Sequence, residues 1–479
     1  MILKRLFTGL LFISICVSQN TSQLHELYGG KIDVSLSLYS SLLYGIGARS
    51  VNTNSTLNNQ GVESIFWNPA GLGYMTRGHF LIDFTPPNYI DPFRFYDFQE
   101  TIDDIVDDQF GKVDKSSIPF EYPKFNGNFN SQMRVQSIGI AVPVKNVAFG
   151  FAYYHGFEFS MDILQSGLRV YAQNEGTTPL TTIAFRATTD SRGIFNMYSE
   201  VVAVSFAYRP LENLGFGITL EQYNLSAKAN GYTSESAYLS IGSGESVWFN
   251  DPNQNYHNSL YDTLRANFLG KNYGLRFGTS FRPIPQAEIA LTAHIPFMVS
   301  MTGPFFMVNN TPPFFVDGEI DRDKIGLQEL TRTKRIVYRS RGMQVRLPGD
   351  VRIGYAHDVG AVTLIANIGY TFNEFSIDFS NTEEDMDQGT VAIRHYRRGL
   401  ETGMDFRLGF DFGPVRLGGG TIFARGFDED NYAKDEKLNL IIPVFSLAFG
   451  FPVGEHYRID ANVISVAIPS SRVSLSYLF

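Results

Sequence analysis

The residues best suited to chemistry are charged side chains set at alternate positions along apolar stretches: Glu221, Arg276, Arg282, Arg352, Asp405, Arg407, Asp411, Arg416, Arg458 and Asp460. A guanidinium presents a planar fork of donors that grips a carboxylate through two hydrogen bonds. Two outcomes are open to such a set. The charges pair with one another, or arginines such as Arg276, Arg282, Arg352, Arg407 and Arg416 meet the carboxylate of an acidic amphiphile. Catalytic arrangements are poor by contrast, since the sequence has no HExxH, no Walker-type loop, no paired CxxC and no G-x-S-x-G elbow. Gly418-Gly419-Gly420 lies inside a strand-like run with no helix after it and reads as close packing rather than a phosphate cradle. His294 shares a parity with Thr292 and reads as a polar wall residue. The acidic groups Asp103-Asp104, Glu383-Glu384-Asp385 and Asp428-Glu429-Asp430 lack calcium-loop spacing and read as solvated loop surface. No enzyme activity, metal or cofactor is expected.

The elements that position these charges follow a period of two. Leu214, Phe216, Ile218 and Leu220 alternate with Gly215, Gly217, Thr219 and Glu221, and Met404, Phe406, Leu408, Phe410 and Phe412 alternate with Asp405, Arg407, Gly409 and Asp411. Leu275, Phe277 and Phe281 oppose Arg276, Gly278, Ser280 and Arg282 in the same way. Fourteen such runs can be placed between His79 and Phe479, the first near 78–85 and the last near 470–479. Their connections alternate between tight (Val144-Lys145, Ile284-Pro285, Val359-Gly360, Gly413-Pro414) and long (86–131, 162–196, 229–270, 302–347, 380–399, 428–437). A sandwich has no reason to sort its loops so, whereas a barrel in an outer membrane has short turns at one rim and long loops at the other. With 41 Phe, 25 Tyr and 18% charged residues, and no window approaching about 20 consecutive apolar residues, the composition suits strands rather than membrane helices. The expected fold class is therefore all-β: a transmembrane antiparallel β-barrel of about 14 strands at 78–479, with charges on the lumen side where pairing offsets their burial. A net charge of −9 argues against nucleic acid as a partner.

Residues 1–18 read as a secretory signal, with Lys4 and Arg5 before the apolar run Leu6 to Val17 and small residues ahead of Gln19. The only cysteine, Cys16, leaves with it, and Ile15 before it argues against lipidation. Residues 19–77 alternate too weakly for strands and are expected to form a plug inside the lumen, with both chain ends at the rim of the tight turns.

The stretch Ser64-Ile65-Phe66-Trp67-Asn68-Pro69-Ala70-Gly71-Leu72 resembles the NPA segment of the FadL/TodX-type outer-membrane channels. At motif level the resemblance rests on Trp67, Asn68, Pro69, Ala70 and their neighbours; at the level of strand count and plug it covers the mature chain. It implies a 14-strand barrel in the cell outer membrane, a hatch built around that segment, and passive uptake of hydrophobic compounds such as long-chain fatty acids or hydrocarbons. The expected partners are hydrophobic or amphiphilic small molecules, with outer-membrane lipid and lipopolysaccharide around the barrel. The same residues are similar to the PorV-like branch, which implies the alternative of an accessory barrel that docks proteins of a secretion system. Two long segments bear on the choice. Residues 302–347 carry Phe305, Phe306, Met307, Phe314 and Phe315, and residues 229–270 carry Leu264 and Phe268 at helical spacing after a weak capping box at Ser259. In the resembled channels the corresponding loops form an apolar groove that first captures ligand, a role expected here unless the two loops only pack on each other as a lid.

Overall fold

The computed structural model describes residues 23–479 apart from 42–44, 50–60, 87–96, 111–114, 130–132, 175–182, 242–244, 250–259, 297, 312–333, 387–388, 431–432, 435–437 and 467. The chain lays down β1 (Gln23–Tyr28) and β2 (Lys31–Ser40), two single-turn helices at Val62–Ile65 and Pro69–Tyr74, and β3 (His79–Thr85). Helix α1 (Phe98–Phe110) and the short strands β4 (Phe120–Glu121) and β5 (Lys124–Phe129) follow. Then come β6 (Arg134–Val144), β7 (Val147–Asn174), β8 (Ile183–Leu211), β9 (Leu214–Ile241), β10 (Glu245–Phe249) and β11 (Leu260–Ile284). Three strands are each built from two halves: β12 (Ala287–Pro296) with β13 (Val299–Thr311), β14 (Lys334–Arg346) with β15 (Gly349–Val359), and β16 (Val362–Phe372) with β17 (Glu374–Asp385). The rest are β18 (Thr390–Asp411), β19 (Val415–Asp430), the two-residue β20 (Ala433–Lys434), β21 (Leu438–Val453), β22 (Tyr457–Val466) and β23 (Ile468–Leu478).

These strands close into an antiparallel ring of 14, sealed where β23 pairs with β3 from Leu478 opposite His79 to Val473 opposite Phe84. Side-chain alternation sets the two faces. Phe406, Leu408 and Phe410 are exposed on the outside, while Asp405, Arg407 and Asp411 between them are buried inside. Outward aromatic and aliphatic residues suit hydrocarbon, and a closed ring leaves no unpaired backbone edge in it. The tight turns fall where the sequence placed them. At Gly360 the backbone has φ 65°, a conformation glycine adopts without strain.

The long connections differ from expectation. Much of 162–196, 229–270, 302–347 and 380–399 is not loop but continuation of the strands: β7 and β8 pair from Val147 opposite Tyr208 out to Asn174 opposite Ile183. Leu264 and Phe268, expected on a helix, lie on β11 opposite Gly231 and Ala227 of β9. Spacing of three to four apolar residues misled there, because ladder pairing to strands on both sides satisfies the backbone without a helix. A second correction concerns the start of the chain. Residues 23–40, expected to lack strand structure, form β1 and β2, which pair antiparallel with the outer part of β7 from Gln23 opposite Gln173 to Ser40 opposite Phe157. The N-terminal end of the described chain thus lies at the rim opposite the tight turns, not beside Phe479 as expected. Leu27, Ile32 and Val34 there join Ile163 and Val170 of β7 in a small core capped by Ile102 and Val106 of α1.

This arrangement gives a labelling test. A cysteine at exposed Lys31 is expected to react with an impermeant maleimide on intact cells, whereas one in the tight turn at Lys145 is expected to react only after permeabilisation. Equal labelling of both from outside would refute the assigned direction of the barrel.

Candidate functional site in the barrel interior

The segment 61–75 lies inside the ring, held by a short list of polar contacts. Asn68 caps the turn Pro69–Tyr74: its Oδ1 accepts from the Ala70 N–H at 3.1 Å while its Nδ2 donates to the Thr279 carbonyl of β11 at 3.2 Å. Pro69 occupies the first helical position, where its missing N–H costs no bond. Thr219 of β9 donates to the Ile65 carbonyl at 3.1 Å, and the Tyr74 hydroxyl donates to the Ser280 carbonyl at 3.2 Å. Phe66 and Trp67 are buried edge to face, ring centroids 4.9 Å apart. Ala70 is fully buried beside them. The wall is cut to receive this turn. A Cβ on Gly217 would sit 2.2 Å from the Pro69 carbonyl carbon, and one on Gly278 would sit 2.0 Å from Asn68 Oδ1.

A second anchorage lies at and near the seam, on β23, β3 and β19. Arg472 of β23 donates to the Gly45 carbonyl at 2.6 Å, the Gly47 N–H donates to Asp83 of β3 at 3.0 Å, the Ala48 N–H donates to the Ser474 hydroxyl, and Arg416 donates to the Arg49 carbonyl at 2.8 Å. Burial, reinforced by the neighbouring Arg416 and Arg458 charges, lowers the Arg49 guanidinium to about 10, which still leaves it charged at neutral pH.

The five arginines singled out in the sequence all point inward and all have carboxylate partners. Arg276 meets Glu221 at 3.2 Å, Arg282 meets Glu288 at 3.1 Å, Arg352 bridges Asp350 at 3.2 Å and Asp405 at 3.1 Å, Arg407 lies 3.4 Å from Asp405, and Arg416 lies 2.9 Å from Asp411. Two also lie over plug rings: Arg276 is 4.7 Å from the Phe66 centroid and Arg282 is 4.3 Å from that of Tyr74. Glu221 is the centre of the most buried group. Besides Arg276, it accepts from the Tyr154 hydroxyl at 3.0 Å and from Tyr223, and it lies 2.9 Å from His294 Nε2. Tyr154 and Tyr223 were missed from sequence, although both sit on the inward parity of β7 and β9.

Outward of the plug the lumen turns apolar. Phe157 of β7 meets Phe375 of β17 across the ring with centroids 5.9 Å apart, and Phe379 meets Phe305 at 4.8 Å and Phe268 at 6.2 Å. Phe305 lies on β13 and Phe375 and Phe379 on β17, the outer halves of two of the three two-part strands. One break between halves contains Leu347-Pro348, where proline removes a ladder donor, and another contains Asn373 at φ 68°. Of the residues expected to capture ligand, Phe268 and Phe305 therefore face inward in this aromatic layer. Phe306 faces outward, Met307 and Leu264 are half-buried, and Phe314 and Phe315 lie outside the described residues. Among the described residues no cluster of His, Cys, Asp and Glu is arranged to hold a metal ion.

No protein-family model matches the chain, and no curated protein matches it. Among solved structures it is similar to the toluene transporter TodX of Pseudomonas putida, with 11% identity, 95% of this chain and 98% of that one covered, and a TM-score of 0.44. It is also similar to the monoaromatic hydrocarbon channel CymD (12% identity, 92% and 96% covered, TM-score 0.41) and to a FadL homologue of Pseudomonas aeruginosa (12%, 89% and 95%, TM-score 0.39).

Two outcomes are expected from this geometry. Gly217→Ala or Gly278→Ala should unseat the Asn68-Pro69 turn and raise leakage of small polar antibiotics severalfold, while Gly419→Ala, with no atom nearer than 3.8 Å to its new methyl, should change nothing. Unaltered leakage in all three would show that the turn does not seal the lumen. Removing Arg276 alone strands a fully buried carboxylate, so Arg276→Ala should lower unfolding stability by about 3–5 kcal/mol. Glu221→Leu combined with Arg276→Met should recover much of that loss, as read from urea titration of heat-modifiable gel migration.

Proposed function

We propose that this protein is an outer-membrane channel for passive passage of hydrophobic compounds, with long-chain fatty acids or hydrocarbons as the class of cargo. The aromatic layer carries the reading. A polar solute must shed its hydration to pass Phe157, Phe268, Phe305, Phe375 and Phe379, and those rings offer no hydrogen bonds in exchange. A hydrocarbon gains about 25 cal/mol for each Å² it hides from water in the same place. The lumen is thus selective before the plug is reached.

The paired arginines support a permeation path rather than an anion trap. Each is engaged by an internal carboxylate, so a fatty-acid carboxylate would have to displace a partner in order to bind there. In this reading residues 45–49 and 61–75 act as the plug, and cargo moves on when the turn at Asn68-Pro69-Ala70 yields. The outward belt lies in lipid, and passage needs no cofactor.

The closure of Phe157 against Phe375 supplies the test. In a Phe157→Cys/Phe375→Cys variant, bridging the two thiols across the lumen with a reducible bis-maleimide should abolish uptake of a labelled long-chain hydrocarbon or fatty acid into cells lacking other carriers, and reductant should restore it. Uptake that persists in the bridged variant would refute passage through the lumen. Normal hydrophobe uptake together with failed export of secreted proteins would instead favour the docking reading.

A further inference from the structure

The small enclosed cavity between plug and wall has a chemistry that its surroundings do not use. It is lined by Ser41 and Phe66 on the plug side, by Tyr154, Ser199, Tyr223 and His294 on the wall, and by Phe157 and Leu347 toward the aromatic layer. Two polar atoms in its lining have no hydrogen-bond partner, the Ser199 hydroxyl and His294 Nδ1, and both residues are at most 1% exposed. Orphaned polar atoms at such depth are costly unless something meets them.

The rest of the cluster fixes what that something must be. Tyr154 and Tyr223 both donate to Glu221, and His294 Nε2 lies 2.9 Å from that carboxylate and 2.9 Å from the Tyr223 oxygen, so the ring is assigned its Nε2–H tautomer, in which Nδ1 is an acceptor. A hydroxyl group donates and accepts through one oxygen, and so can give its proton to His294 Nδ1 while taking one from Ser199. A carboxylate cannot donate to Nδ1. It would also lie beside Glu221, with Arg276 already committed to that residue. A plain hydrocarbon leaves both atoms orphaned. The space suits a group the size of one hydroxyl, with the attached chain leading out past Phe157 and Leu347 into the aromatic layer.

We infer that this cavity is a recognition site for the hydroxyl end of a neutral amphiphile, a long-chain alcohol or an alkyl phenol, with Ser199 and His294 as its specificity-determining residues. The inference rests on the channel reading and adds a neutral, hydroxyl-bearing amphiphile to the hydrophobic compounds that the channel passes.

Equilibrium binding of 1-dodecanol, dodecanoate and dodecane to the purified full chain in detergent tests it. The alcohol should bind at least about tenfold more tightly than either of the others, the worth of one or two net hydrogen bonds. Ser199→Ala should remove about tenfold of the alcohol's affinity and leave dodecane unchanged, and His294→Gln, whose amide can still donate to Glu221, should do the same. Ser199→Ala guards against misfolding of the histidine variant, and heat-modifiable migration confirms an intact barrel in each. If dodecane binds but the alcohol is not preferred, or if Ser199→Ala weakens all three ligands alike, the hydroxyl site is refuted and the channel reading stands. If none of the three binds to the folded wild-type protein, both fall.

Discussion

Everything in this molecule follows from the closure of β23 on β3. In hydrocarbon an unpaired N–H or C=O has no water to turn to, and the cost of several kcal/mol per group forbids an open edge. The seam from His79 to Phe84 removes that edge and fixes which face of every strand looks inward. Once the faces are fixed, Glu221, Arg276, Asp405 and Arg407 have no exit to solvent. They are forced either onto each other or onto the plug, and the structure shows both.

The ring itself was legible in the sequence because its signal is local. Alternation in runs such as Met404 to Phe412 states the face of each residue, and tight turns such as Val359-Gly360 state where one strand ends. The inward direction of all five arginines followed from the same parity. The outer part was less legible. Alternation persists there, as in Leu264, Ala266 and Phe268 against Arg265 and Asn267 on β11, but a spacing of four between Leu264 and Phe268 fits one helix face as well as one strand face. Strand β2 carries a local signal too, with Ile32, Val34, Leu36 and Leu38 alternating against Asp33, Ser35 and Ser37, but its partners lie more than 80 residues away, Asn126 and its neighbours on one side and Leu164 and its neighbours on the other, so its place outside the ring is not written locally. The cross-lumen contact of Phe157 with Phe375 leaves no trace in local sequence, since it depends on ring size.

Plug and wall are matched by subtraction as much as by attraction. Gly217 and Gly278 give up side chains on neighbouring strands so that Pro69 and Asn68 can lie against bare backbone, and the hydrogen bonds from Asn68 and Thr219 then fix the turn at that place. The lower lumen is consequently rigid and polar, with its charges paired. Among the described residues the upper lumen narrows where rings meet edge to face, contacts that are individually weak and carry no directional bonds. The upper constriction is therefore the softer of the two.

The last strand in the chain is also the one that holds the first part of the plug. Arg472 and Ser474 bind the backbone at Gly45 and Ala48, and both approach Asp83 on the partner strand of the seam. A barrel whose seam closed without residues 45–48 would bury Arg472 and Asp83 without the Gly45 carbonyl and the Gly47 N–H that meet them here. The side chains that close the wall are thus the same ones that hold this stretch of chain, so seam and filling draw on a single set of buried polar groups.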